Sequence, residues 1–124
     1  MEEVTAAGTR LGISEIADYE VRRELLLAGK SQSIARLDGL KREHVYVAIT
    51  TPVMLVAAEL WAQARRAARL SAGRHRLDGD VILAAQAILV QGQGHEVIVA
   101  TENVRHLSRF VDARRWQDIP TTDG

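Results

Sequence analysis

The stretch Leu77-Asp-Gly-Asp-Val-Ile-Leu-Ala-Ala-Gln-Ala-Ile-Leu-Val-Gln91 decides the fold of this chain. From Gly79 to about Gln91 it is apolar on nearly every helical face, which predicts a deeply buried helix. Gly92 and Gly94 end that helix, and the apolar run His95–Ala100 predicts a strand directly after it. A buried helix that leads into an apolar strand indicates an α/β fold.

Helices and strands alternate on both sides of this stretch. The long helix before it is expected to begin with Thr51 as its cap and Pro52 in its first position, where the missing N–H costs nothing. The alternation predicts a central parallel sheet with helices on both faces. The remaining predicted elements are a helix ending at Ala7, a strand over Arg10–Ser14, helices over Glu15–Ala28 and Ser31–Lys41, a strand over His44–Ile49, a basic loop over Ser71–Arg76, a short helix near Val104–Phe110 and a terminal segment through Trp116.

Composition limits the possible functions. A chain of 124 residues that is 47% hydrophobic is enough for one domain with a core. Lys plus Arg and Asp plus Glu number 16 each, so there is no overall basic field and any RNA contact must be local. The absence of cysteine excludes disulfides, thiolate metal sites and a cysteine nucleophile. Neither a signal peptide nor a membrane-spanning stretch is visible, so we expect a cytoplasmic protein without membrane contact.

Three residues are candidates for a shared site, because ligands of parallel sheets bind beyond the carboxyl ends of the strands. Glu20 lies soon after the first predicted strand, and Asn103 follows the strand His95–Ala100. Asp78 is the expected N-cap of the buried helix, which leaves Asp80 for another role. We therefore expect Glu20, Asp80 and Asn103 to converge at one end of the sheet.

Each candidate also has a purely structural interpretation. Glu20 could form an ion pair with Arg23, less than one helical turn further on. Asp80 could complement the positive end of the helix dipole. Asn103 or Thr101 could cap the short helix that follows them. Taken one at a time, the residues leave these alternatives open.

Two further groups of residues could take part in a functional site. The four histidines show no metal-ligand spacing, so no histidine is expected in the site. The basic residues near the end of the long helix could contact phosphates or form a solvated face. This basic group consists of Arg65, Arg66, Arg69, Arg74, His75 and Arg76.

In order and spacing, several segments together resemble the VapC-type PIN-domain toxin ribonucleases. The resemblance covers most of the chain from Leu11 onward, and it implies a three-layer α/β/α sandwich with a central parallel sheet. The matching segments are Ile13-Ser-Glu-Ile-Ala-Asp-Tyr-Glu-Val-Arg-Arg-Glu-Leu25, Leu77-Asp-Gly-Asp-Val-Ile-Leu-Ala-Ala85, Val97-Ile-Val-Ala-Thr-Glu-Asn-Val-Arg-His-Leu107 and Ala113-Arg-Arg-Trp-Gln-Asp-Ile119.

The resemblance also implies a chemistry. Glu20, Asp80 and Asn103 match the family's metal-holding and catalytic positions, gathered around Mg²⁺ or Mn²⁺ for hydrolysis of RNA phosphodiester bonds. The metal activates water and offsets charge on the phosphate oxygens. The implied partners are an RNA substrate, an antitoxin protein and a second copy of the chain in a homodimer.

One part of the family pattern differs. The family opens with an apolar strand that ends in Asp, whereas Met1–Gly8 resembles the helix before the second strand. We therefore expect a single PIN-like domain over residues 1–124 that is N-terminally truncated relative to the family, without one central strand and its acid. Such a chain should cleave RNA poorly until that strand is restored.

Two other hypotheses stand beside the ribonuclease. The chain could be a non-catalytic PIN remnant that binds an antitoxin or dimerises. It could also be a doubly wound ligand-binding or receiver-like domain in which Asp80 has a structural role.

Overall fold

The computed structural model describes residues 11–68 and 77–119. Over these residues the protein is a mixed α/β fold that is mostly helical and contains small parallel sheets. The elements are β1 (Gly12–Ser14), α1 (Glu15–Leu27), α2 (Ser31–Glu43), β2 (Val45–Val47), α3 (Thr51–Ala68), α4 (Leu77–Gly92), β3 (Val99–Ala100), α5 (Val104–Leu107), β4 (Ala113–Arg114) and a 3-10 turn (Trp116–Asp118). The predicted helix ending at Ala7 and the predicted loop Ser71–Arg76 lie outside the described residues.

Local signals account for the starts and ends of the helices. Ser14 caps α1, because its side chain accepts a hydrogen bond from the Ala17 backbone N–H. Gly29, with a φ of 69°, follows the end of α1 as predicted. The predicted cap of α3 is wrong by one residue. Thr50 caps that helix by accepting from the Val53 N–H at 3.3 Å.

The predicted N-cap role of Asp78 is wrong. The helix α4 already begins at Leu77, so Asp78 and Asp80 both lie inside its first turn. Both carboxylates are therefore near the positive end of the helix dipole, where acids are favourable. Asp78 is exposed and Asp80 is half-buried. The two acids therefore differ in exposure although they lie in the same helical turn.

The strands are shorter than the sequence predicts, and they form two sheets. β1 pairs in parallel with β2, with Gly12 opposite Val45, and β3 pairs in parallel with β4, with Val99 opposite Ala113. Within the described residues no strand joins the two pairs, so a continuous central sheet is not present there. The strand β4 was not predicted, because two residues carry no periodic signal.

The helix α4 is the centre of the core, as its apolar sequence predicts. One side of it packs on α3, whose buried residues are spaced at helical intervals. Another side packs on α1, β3, α5 and β4, so a single helix joins most elements of the fold. The α3 side of this core contains Val53, Ala57, Ala64, Val81 and Ala85, and the other side contains Ile16, Leu83, Ala84, Ala87, Val99, Leu107 and Ala113.

One polar residue lies inside this apolar helix. Gln86 is only 1% exposed, and its Nε2 donates to the Val47 carbonyl oxygen at 2.6 Å. Its Oε1 has no hydrogen-bond partner among the described residues. The bond ties α4 to the end of β2 and satisfies a backbone acceptor at the point where that strand ends.

An ion-pair network joins α1 to α2. The Asp18 side chain is 7% exposed and contacts Arg22 at 3.0 Å and Lys41 at 3.2 Å. Arg22 also reaches Asp38 at 2.7 Å, and this hydrogen bond is the main cause that raises the pKa of Arg22 and lowers the pKa of Asp38. The contribution of Asp38 to stability is therefore present above the ordinary carboxyl pKa and is lost as the pH falls through its lowered pKa.

Replacement of Asp18 by Ala is expected to lower the free energy of unfolding by about 1.5–3 kcal/mol, the usual value of hydrogen bonds to charged groups. Arg22 keeps Asp38 and both cations are partly exposed, so we expect less than the roughly 3–5 kcal/mol lost when a fully buried pair is broken. Urea denaturation measures the loss. Glu24→Ala, an exposed acid on the same helix, is the matched control, and equal losses would contradict a role for the network.

None of the helices in the two described ranges is long and apolar enough to cross a bilayer.

Candidate functional site

Asp80 and Asn103 meet directly, although 23 residues separate them in the sequence. The Asn103 Nδ2 donates to Asp80 Oδ1 at 3.0 Å. Asp80 is placed by the first turn of α4, and Asn103 by the turn after β3. The buried packing of α4 against β3 therefore fixes the distance between the two side chains.

The turn that carries Asn103 is held by Thr101. Thr101 is 5% exposed, and its hydroxyl accepts from the Asn103 backbone N–H at 2.9 Å. Asn103 occupies the N-cap position of α5, yet its side chain makes no capping hydrogen bond. The amide is directed to other side chains instead, so side-chain capping is not what Asn103 does in this structure.

His106 is the residue that the sequence prediction missed. Its Nδ1 lies 2.7 Å from Asn103 Oδ1, and its side chain is exposed. The expectation that no histidine lies at the site is therefore wrong. A signal did exist: Asn103 and His106 are three residues apart at the start of a helix, a spacing that places two side chains side by side.

Glu20 reaches the same region from α1. Its carboxylate lies directly against Gly79, so close that a methyl group at position 79 would overlap with Glu20 Oε2. Gly79 immediately precedes Asp80, and the two carboxylates therefore meet the same turn of α4. The missing side chain of Gly79 provides the space for this approach, and the sequence alone gave Gly79 no such role.

The structure thus places Asp80 and Asn103 in direct contact and Glu20 against the first turn of α4, next to Asp80 in the sequence. We call Glu20, Asp80, Asn103 and His106 the acidic–amide cluster. The bonds that join Asp80, Asn103 and His106 and the position of Glu20 against Gly79 are observed. A shared cation between Glu20 and Asp80, and the roles of these residues as catalytic residues and metal ligands, remain predictions. Arg23, the alternative partner of Glu20, is exposed and lies over the Tyr19 ring at 5.2 Å. Its pKa is raised mainly by a hydrogen bond with Tyr19, and the charge of Glu20 also contributes, so this alternative stays open.

The donor set of the cluster suits a hard cation only in part. Mg²⁺ and Mn²⁺ prefer oxygen ligands, and Mg²⁺ commonly binds through one or two carboxylates together with water and substrate phosphates. Glu20 and Asp80 provide two such carboxylates, whereas the Asn103 oxygen faces His106. In the part of the chain that the structure describes, no group of three His, Cys, Asp or Glu side chains is arranged to hold a metal ion.

Positive charge lies beside the cluster on α5 and in the turn after it. Arg105 is exposed next to His106, and the Arg109 Nε donates to the His106 carbonyl oxygen at 3.0 Å. From the basic group at the end of the long helix, Arg65 lies over the Trp61 ring at 5.5 Å, and the residues beyond position 68 in that group lie outside the described ranges. Arg109 therefore places one exposed cation next to the His106 backbone, and contact of these arginines with RNA phosphates is part of the proposed function.

Comparisons of the chain with protein-family models, with curated proteins and with solved structures found no match. The similarity to VapC-type PIN domains therefore rests on the sequence segments quoted above.

Proposed function

We infer that the acidic–amide cluster is the site of a metal-dependent endoribonuclease, the toxin component of a type II toxin–antitoxin pair. The observation that carries this proposal is the Asn103–Asp80 hydrogen bond at the first turn of α4, against which the Glu20 carboxylate also lies. A three-layer PIN-like sandwich and the use of Mg²⁺ or Mn²⁺ belong to the same proposal. Balanced overall charge agrees with local recognition of RNA rather than binding over the whole surface.

In this proposal Glu20 and Asp80 hold the cation through carboxylate oxygens. A bound cation lowers the pKa of water and offsets the charge that develops on the phosphate oxygens during hydrolysis. Asn103 donates to Asp80 and so keeps that carboxylate in one orientation. Arg105 is exposed beside the cluster and would contact RNA phosphates as a positioning group.

The test combines cation binding with RNA cleavage. Two carboxylates hold a divalent cation weakly, so Mn²⁺ binding is measured first, by the loss of the free Mn²⁺ electron paramagnetic resonance signal. Cleavage of a structured RNA is then followed with Mn²⁺, with Mg²⁺ and with EDTA. We expect saturable Mn²⁺ binding and slow cleavage that EDTA abolishes. A chain that binds no Mn²⁺ would rule the proposal out.

A second candidate is a non-catalytic PIN-like domain that binds an antitoxin or forms a homodimer. The observation that favours it is an exposed apolar strip on α3, where Met54, Leu55 and Trp61 are 47%, 63% and 41% exposed. Met54 and Trp61 are seven residues apart and share the face beside the buried Val53 and Ala57, whereas Leu55 lies on the opposite face of the helix. Mn²⁺ binding without any cleavage, together with a dimer that Leu55→Glu dissociates in analytical ultracentrifugation, would favour this candidate.

A further inference from the structure

Two hydrogen bonds connect three side chains of the cluster in a row. Asn103 Nδ2 donates to Asp80, and Asn103 Oδ1 faces His106 Nδ1. A carboxylate oxygen only accepts, so the Asn103 amide must present its NH₂ group to Asp80. Its oxygen then needs a donor, and His106 Nδ1 must carry the hydrogen. The tautomer of the imidazole is thereby fixed by the carboxylate at the other end of the row.

A second observation shows that this arrangement is preferred over a local one. Asn103 stands at the N-cap position of α5, where its side chain would ordinarily bond to the backbone of the first turn. It makes no such bond, and Thr101 holds the backbone turn in its place. The amide is therefore committed to Asp80 on one side and to His106 on the other.

We propose that His106 is a positioning residue, which fixes the Asn103 amide so that its NH₂ group faces Asp80. Its importance for cation binding rests on the proposed function. With the amide in this orientation, Asn103 acts on Asp80 as a hydrogen-bond donor and does not offer its oxygen to the cation. Without His106 the Asn103 oxygen loses its donor, the amide turns between orientations, and the Asp80 carboxylate is less well ordered.

The first measurement reads the tautomer directly. Two-bond ¹⁵N–¹H correlation spectra of the whole chain, with the imidazole neutral, distinguish a hydrogen on Nδ1 from one on Nε2. We expect the Nδ1–H form for His106, although histidine in water favours Nε2–H, and we expect Asn103→Ala to remove this preference. An Nε2–H imidazole in the unsubstituted chain would overturn the proposal, because His106 could not then donate to Asn103.

The second measurement is Mn²⁺ affinity. His106→Ala is expected to weaken binding measurably, but by less than the roughly 10- to 100-fold lost with a direct partner of a ligand, because His106 acts on Asp80 only through Asn103. His106→Asn keeps an N–H donor near the position of Nδ1 and is expected to restore most of the affinity. His95→Ala, at an exposed histidine outside the cluster, should have no effect. An unchanged affinity in His106→Ala would overturn the proposal.

The two measurements separate this proposal from the ribonuclease proposal. If the unsubstituted chain binds no Mn²⁺, the proposed function fails, and the tautomer alone then decides the positioning role. An Nδ1–H imidazole that depends on Asn103 would still support that role, whereas an Nε2–H imidazole would overturn it.

Discussion

Asp80→Asn is expected to abolish cation binding and EDTA-sensitive RNA cleavage, whereas Asp78→Asn leaves both unchanged. Asparagine at position 80 can still accept the hydrogen bond from Asn103, so the substitution removes the charge with little change of shape. Loss of a residue that only bonds to a metal ligand lowers affinity roughly 10- to 100-fold. Because Asp80 is a proposed ligand itself, the affinity for Mn²⁺ should fall further than that. Electron paramagnetic resonance titration and the cleavage assay measure the two effects.

The two aspartates form a closely matched pair for this experiment. Both lie in the first turn of α4, and each substitution changes the charge of the chain by the same amount. They differ in position, because Asp78 is exposed and Asp80 is half-buried against Asn103. Equal losses of Mn²⁺ affinity in the two variants would show that general charge near the helix start, rather than the cluster, attracts the cation.

Gly79→Ala is expected to expel Glu20 from the cluster and to remove cation binding as completely as Glu20→Gln. The added methyl group would overlap with Glu20 Oε2 and stand 3.3 Å from the carboxyl carbon. In an ordinary helix the same change gains about 1 kcal/mol, because alanine favours helix more than glycine does. Here the methyl group would meet only the far end of the flexible Glu20 side chain, which can turn away, so we expect part of that gain to remain while Glu20 is displaced. Urea denaturation and Mn²⁺ titration measure stability and binding.

Gly39 provides the control for that substitution. It also lies within a helix, α2, but nothing stands within 4 Å of where its methyl group would be. Gly39→Ala should therefore stabilise the chain by about 0.5–1 kcal/mol and leave Mn²⁺ binding unchanged. In a Glu20→Ala background, Gly79→Ala should also stabilise, because the carboxylate that it would meet is gone. Full Mn²⁺ affinity in both the Gly79→Ala and the Glu20→Gln variants would show that Glu20 is not needed at the site.

The sequence determined the helices and the burial of α4, because those signals are local. Gly29 and the apolar run from Val81 act on residues within one or two turns, and the end of α1 and the burial of α4 agree with these signals. The cap of α3 lies one residue earlier than predicted, because Thr50 and Thr51 carry the same hydroxyl and the sequence does not distinguish them.

The tertiary structure alone decided how the strands pair and how the cluster is completed. Each strand pair is only two or three residues long and gains its stability from the elements packed around it. For this reason β4 and the division into two sheets left no pattern in the sequence. The order of the elements was enough to predict that Asp80 and Asn103 meet and that Glu20 lies near the same turn. The close approach of Glu20 to Gly79 and the bond from His106 to Asn103 depend on side-chain directions, which follow from packing between distant parts of the chain.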